Sequence, residues 1–329
     1  MSGTTETSES DVTAGGIVCV ASSHIVIADQ DSPCDPTPYL RINKLRKYMG
    51  KQDDLAVYAA CTALNRAGLS VVGLSGAGLR GCIEPDRFGL YLAVGYIPFE
   101  EHELNRLCEA ANDQGRFSMR RLSTTGFHAV NGLMTFRCLP NMPAFHVSTN
   151  LGIRGPSFVT YPGAGQFYVA LQQACYALED GQVDVALVMG VADQRNFLVR
   201  HHLDRMPRAV ARRESSQAVD AAGCFILQRS GDSAPSNNGT ATLCELHLDY
   251  QPLDPFRRAN VPDEIVSRTE PDDPEVFQTY GPAALAVHLS RMMESRNRME
   301  PSSENGPTEF RHRITTHDGI TAGSRWEVS

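Results

Sequence analysis

The chain has 329 residues, 42% of them hydrophobic, and a formal net charge of −8. That length buries one large core or two modest ones and marks a globular protein. The acidic total argues against broad nucleic-acid binding, and no run of about 18 apolar residues offers a membrane span. Residues 1–15, rich in Ser, Thr and Glu without a basic-then-apolar pattern, read as a disordered tail. The nine cysteines form no C-x-x-C pair. They fit free, buried thiols in a reducing cytoplasm, with no metal or cofactor expected.

Ile17 to Ala28, rich in Val and Ile, predicts a strand. Arg41 to Gly50 is a basic connector. Asp53 to Gly68 predicts a helix capped by Asp53 or Asp54, with Leu55, Ala59, Leu64 and Ala67 as its apolar stripe and Gly68 as its end. Gly76-Ala77-Gly78-Leu79-Arg80-Gly81 is a literal G-x-G-x-x-G. Pro85 breaks the helix that a dinucleotide fingerprint needs, so a surface loop is expected. Phe88 to Val94 predicts a strand, and Phe99 to Asn112 a helix with Leu104, Leu107 and Cys108 on one face. Phe158 to Tyr161 predicts a short strand. Gly165 to Asp180 predicts a second strong helix, because Phe167, Ala170, Leu171, Ala174, Cys175 and Leu178 recur at helical spacing. Val183 to Val191 is nearly all apolar, as a central parallel strand should be. Ala221 to Gln228 and Leu243 to Leu248 are two further strands. The alternation predicts an α/β fold with a layered sheet. Beyond Gln251 the chain turns polar: Pro252 to Asp273 reads as loop, Tyr280 to Glu294 as helix, and Arg313 to Val328 as one or two last strands.

The most informative stretch is Gly155-Pro156-Ser157-Phe158-Val159-Thr160-Tyr161-Pro162-Gly163-Ala164-Gly165-Gln166. A Gly-Pro-Ser turn leads into the short strand and then to the mouth of the long helix. Gly181-Gln182-Val183-Asp184 follows that helix. Leu139-Pro140-Asn141-Met142-Pro143-Ala144 precedes it, and Arg46-Lys47-Tyr48-Met49-Gly50 lies further back. In this register the marks resemble the first half of a β-ketoacyl synthase, most closely from Asn141 to Asp184. The resemblance implies a thiolase-like layered fold. An αβα arrangement with a mixed five-stranded sheet would occupy residues 16–251, and a shortened C-terminal region, residues 252–329, would replace most of the second half. In that family the catalytic Cys stands seven residues after the Ser of the turn, and here that position is Ala164. Ala164 has no group that can attack a thioester. The family's two catalytic histidines stand in "HGT" and "GH" settings, and His288, His312 and His317 lack those flanks.

The resemblance therefore implies a chain that does not condense acyl groups alone, similar to the non-catalytic chain length factor of type II polyketide systems. Its partner would be a catalytic ketosynthase subunit in a heterodimer. Phe158, Val159, Thr160 and Tyr161 would pair across the two-fold axis. Leu133, Met134 and Phe136 would close the partner's acyl tunnel, with Gln166 and Phe167 beside the interface. Two alternatives stay open: a malonyl-type decarboxylase or other acyl-thioester enzyme with a rebuilt site, and a pure scaffold. Relatives without the Cys often carry Gln at its position, but Gln166 lies two residues past it and reads as a first-turn residue. From Gln194 to Arg213, six arginines face only Asp204. Acyl carrier proteins are acidic, so Arg195, Arg200, Arg205 and Arg208 are a candidate docking face, against a solvated loop or pairing with the partner subunit.

Overall fold

A computed structural model describes residues 18–27, 34–71, 81–97, 99–203, 218–230, 240–250, 279–298, 307–316 and 320–329. The expected tail, the glycine-rich stretch up to Arg80, the loop 252–273, Arg205, Arg208 and His317 lie outside them. The first strand, β1, is Val18–Ile27. Helix α1 is Lys51–Ala67, two residues longer at its start than its pattern predicts. Gly50 is the N-cap, and the Asp53 carboxylate reaches back to accept the Gly50 N–H at 2.7 Å. That corrects the expected cap: Asp53 acts from inside the first turn, as the acidic half of a capping box does. Gly68 ends the helix at φ 65°, where a side chain would be strained.

β2 (Leu69–Val71) and β3 (Gly81–Ile83) form a small parallel pair. β4 is Phe88–Val94, buried throughout, and α2 is Glu101–Ala110. A hairpin of β5 (Asn112–Asp113) and β6 (Arg116–Phe117) leads to α3 (Met119–Thr124), α4 (Met134–Arg137) and α5 (Met142–Leu151). Then come β7 (Ser157–Thr160), α6 (Gly165–Glu179), β8 (Val185–Ala192), α7 (Phe197–Leu203) and β9 (Ala221–Arg229). The chain closes with β10 (Ala241–Tyr250), α8 (Ala284–Arg298), β11 (Thr308–Thr315) and β12 (Ile320–Val328).

The main sheet runs β11-β12-β10-β1-β9-β8-β4-β7. Its last five strands are the expected mixed sheet, in which β7, β4 and β8 run parallel and β9 runs antiparallel to both its neighbours, β8 and β1. β10, β12 and β11 extend it, joined to β1 only through Val18, Cys19 and Val20. One face of the five strands is covered by α1 and α5, where Leu55 and Ala59 meet Leu92 and Met189. On the other face α6 and α8 lie between the two parts of the sheet. Phe167 and Leu171 of α6 and Leu289 of α8 meet Val188 and Phe225 on one side and Leu243, Ala322 and Trp326 on the other. The described residues after 251 thus pack on this chain's own helices and strands.

Two glycines allow this approach. A Cβ at Gly190 of β8 would lie 2.1 Å from the carbonyl oxygen of Pro282, in the turn before α8. One at Gly223 of β9 would lie 2.6 Å from Cβ of Ala286. In the three-stranded part, β12 alternates between inner and outer side chains. Ala322, Ser324, Trp326 and Val328 point inward, while Arg325 on the outer side pairs with Glu245 at 2.7 Å and Glu309 at 3.8 Å. Cys61, Cys175 and Cys224 are buried, Cys34, Cys138 and Cys244 half-buried and Cys108 exposed, and these seven are free. The expected apolar face of the second helix therefore does not extend to Cys108.

Candidate functional site

The site begins where β7 hands over to α6. Gly163 has φ 109°, and Ala164 then takes helical angles as the N-cap residue. Thr160 ties strand end to helix start: its hydroxyl lies 3.0 Å from the Gln166 carbonyl and 3.4 Å from that of Leu92. Ala164 is buried and offers only a methyl group. The adjoining Gly165 sits so close to β12 that a Cβ there would be 2.9 Å from Ile320. The mouth of α6 is therefore tightly packed against the C-terminal strand.

One turn further along α6 stands Tyr168, fully buried. Its hydroxyl donates to the His312 carbonyl at 3.0 Å and also meets His312 Nδ1. Which of the two groups donates in that second bond depends on the His312 tautomer. The Tyr168 and His312 rings stack at 6.0 Å, and His312 stacks on His288 of α8 at 5.9 Å. Burial raises the Tyr168 pKa. Desolvation, then the neighbouring His288, lowers that of His312. Both rings are held neutral at physiological pH. The sequence analysis missed this cluster, because 144 residues separate Tyr168 from His312. The only local signals were a tyrosine on an apolar helix face and histidines at otherwise ordinary helix and strand positions. The cluster can orient and hydrogen-bond, but with Ala164 beside it this chain has no thiol there on which to form a thioester.

A second polar cluster lies at the carboxyl end of β8. Lys51 Nζ is 2.6 Å from Asp220 and 3.2 Å from Asp193. Burial, then Asp220, pushes the Asp193 pKa up. Asn196 caps α7 by accepting the N–H groups of Leu198 and Val199 at 2.8 and 3.1 Å. Asp184, the acid of the Gly-x-x-Asp mark, is a clamp. It binds Arg87 at 2.6 Å and Arg229 at 3.2 Å, and the Arg87 bond above all lowers its pKa. Among the described residues, no cluster of three or more His, Cys, Asp or Glu could hold a metal ion, and no helix is long and apolar enough to cross a membrane.

The expected interface residues fall in different environments. Among the described residues, β7 is the last strand of the sheet and pairs with β4 alone, so no described strand lies on its outer edge. Phe158 and Val159 are half-buried, Thr160 is buried, and Tyr161 is 37% exposed. Gln166 is half-buried in the first turn of α6. Phe167 belongs to this chain's own core, edge-on to Phe225 at 5.7 Å, so it is not on an outer surface. Leu133 is half-buried, Met134 buried, and Phe136 46% exposed with its ring against Tyr48. Of the expected basic face, Arg195 and Arg200 are described and both are exposed. Arg195 donates through Nε to the Ala218 carbonyl, and Arg200 pairs with Glu101 of α2 at 3.3 Å.

A model of the β-ketoacyl synthase N-terminal domain matches residues 20–231. The chain belongs to the β-ketoacyl synthase family. Solved structures agree in fold. A chain of the AntDE:AntF complex, a type II PKS acyl-carrier protein in complex with its ketosynthase bound to the hexaketide, superposes with a TM-score of 0.64. The identity is 13%, over 94% of this chain and 99% of that one. The ishigamide ketosynthase/chain length factor gives 0.65 at 12% identity, over 95% and 99%. The ketosynthase from module 1 of the bacillaene synthase of Bacillus amyloliquefaciens gives 0.58 at 11%, over 95% and 75%. At these identities the likeness is one of fold. No curated protein matches the chain. This ketosynthase-family chain thus combines the thiolase-like architecture with an alanine at the start of its central helix.

Proposed function

We propose that this chain is a non-catalytic partner subunit of a catalytic ketosynthase, of the chain length factor kind, which stabilises the active subunit and helps to shape its acyl tunnel. The observation that carries this reading is Ala164. Strand β7, the Gly163 turn and the long buried helix α6 build the frame that presents a nucleophile in the family, and the frame ends on a methyl group. Keeping a frame without its nucleophile makes sense when another subunit supplies the chemistry. The edge of β7, unpaired among the described residues, supports the same reading, because an unpaired strand edge favours association with a further strand. The Tyr168–His312–His288 stack fills the neighbouring space with rings that engage one another, as suits a structural site.

The test is co-expression with a catalytic ketosynthase from the same gene neighbourhood. The expected result is a 1:1 complex that is more soluble than this chain alone, which should aggregate or form a homodimer. A well-behaved monomer by light scattering, with no gain from any such partner, would overturn the proposal.

A further inference from the structure

The Lys51 cluster joins the ends of separate elements. Lys51 begins α1, Asp193 directly follows β8, and Asp220 directly precedes β9. Both aspartates are buried, whereas the Lys51 side chain is 46% exposed and reaches in from solvent. Asp220 accepts at both oxygens: Oδ2 from Lys51 at 2.6 Å and Oδ1 from the Arg195 N–H at 2.9 Å. Asp193 meets Lys51 at the longer distance of 3.2 Å and is hydrogen-bonded to the Asp220 side chain. Ionised carboxylates only accept, so a bond between two of them needs a proton. Both oxygens of Asp220 already have donors, which leaves Asp193 to carry it.

The same residues fix the start of α7. The Asp193 carbonyl accepts Asn196 Nδ2 at 2.7 Å, Asn196 Oδ1 caps the helix, and Asp220 holds the Arg195 N–H between them. Among the described residues, the charged groups facing Asp193 are Lys51 from α1 and Asp220 from the approach to β9. Arg195 turns its guanidinium to the Ala218 carbonyl. The turn Gly281–Ala283 adds no charge and meets this segment at Gln194. Burial, then Asp220, raises the Asp193 pKa, and Lys51 opposes them. A raised carboxyl pKa means that the folded chain holds the proton more tightly than the unfolded chain. The closed arrangement is therefore complete at low pH and is lost as the pH rises through the raised value.

We propose that this cluster is a proton-operated latch: one proton between Asp193 and Asp220 pins α7 to α1 and β9, and its loss loosens α7. Once ionised, Asp193 repels Asp220 and competes with it for Lys51, which weakens the hold on the Arg195 N–H. The latch does not rest on the ketosynthase-partner reading.

The test is amide hydrogen exchange of the full chain by mass spectrometry, with exchange times scaled for the intrinsic rate of free amides. Peptides covering α7 should lose about tenfold or more of their protection between about pH 5 and about pH 8, while those of α6 keep theirs. Asp193→Asn still has a donor for Asp220 but cannot ionise, so its α7 should stay protected throughout. His201, exposed on α7, is the same in both proteins and cancels in the comparison. If Asp193→Asn does not fold, Asp220→Asn decides: one carboxylate then faces one ammonium, and the loss of protection should again vanish. Equal pH profiles of α7 in the wild-type chain and the folded variant, or a loss shared evenly by α6 and α7, would overturn the proposal.

Discussion

Asp53 lies almost fully buried in the first turn of α1, where burial pushes its pKa up to about 7 against the stabilising Gly50 N–H. A raised carboxyl pKa means that the folded chain holds this proton more tightly than the unfolded chain does. Its charge therefore destabilises the fold above about pH 7, and the penalty disappears as the pH falls towards 4. His24 and His146 have the opposite sign. Burial, then Arg66 and Arg46 respectively, lowers each to about 4, so they lose stability as the pH falls from about 6.5. Asp53→Asn separates the two effects, because an amide oxygen still accepts from Gly50. It should gain about 1–3 kcal/mol at pH 8 and nothing at pH 4, read from urea midpoints. An equal gain at both would show that Asp53 is not held protonated. At Ala164 the expected outcome concerns chemistry. Ala164→Cys places a thiol at a helix N-terminus, where the dipole lowers its pKa somewhat. It should label slowly with thiol reagents and condense nothing by itself. Condensation by the purified variant alone would mean that a complete catalytic set exists elsewhere in the chain.

At the scale of elements, α4 separates two roles within four residues. Met134 faces inward and is buried, while Phe136 turns its ring to Tyr48 and leaves 46% of its surface exposed. Truncating Phe136 therefore costs this chain little core. In the proposed heterodimer, Phe136→Ala should leave the complex intact and shift carrier-bound products to longer chains, measured by mass spectrometry. An unchanged length distribution in intact complexes would exclude this segment as the end of the tunnel. The packing of α8 shows why the carboxyl-terminal elements are not an appendage: glycine at positions 190 and 223 lets the Pro282 backbone and the Ala286 methyl rest directly on β8 and β9.

At the scale of the molecule, β10, β12 and β11 close the middle layer over α6 and α8. On their outer side Arg325 pairs with the exposed carboxylates of Glu245 and Glu309. Trp326, the only tryptophan, is fully buried against Phe225 at 5.7 Å and donates to Ser324 at 2.9 Å. Its fluorescence reports the carboxyl-terminal strands, while far-UV circular dichroism reports every helix. Because α6 is shared by both parts of the sheet, the two signals should fall in one coincident urea transition. A separate, earlier fluorescence transition would show residues 252–329 to be an independent unit.

By itself the sequence determined the elements whose signals are local. Leu55, Ala59 and Leu64 recur at helical spacing in α1, as do Phe167, Leu171 and Leu178 in α6. The run from Val185 to Val191 is apolar on both faces because helices cover both. It also placed Ala164 at the mouth of α6, since the frame from Ser157 to Asp184 is contiguous. Only the tertiary structure decided the rest. Gly50, not Asp53, caps α1, because a reach-back bond depends on where the helix begins in space. The stacking of Tyr168, His312 and His288, and the docking of Pro282 on Gly190, join residues far apart in the chain. Such contacts leave no periodic trace, because they are fixed by the closing of one sheet around two helices and not by any neighbour in sequence.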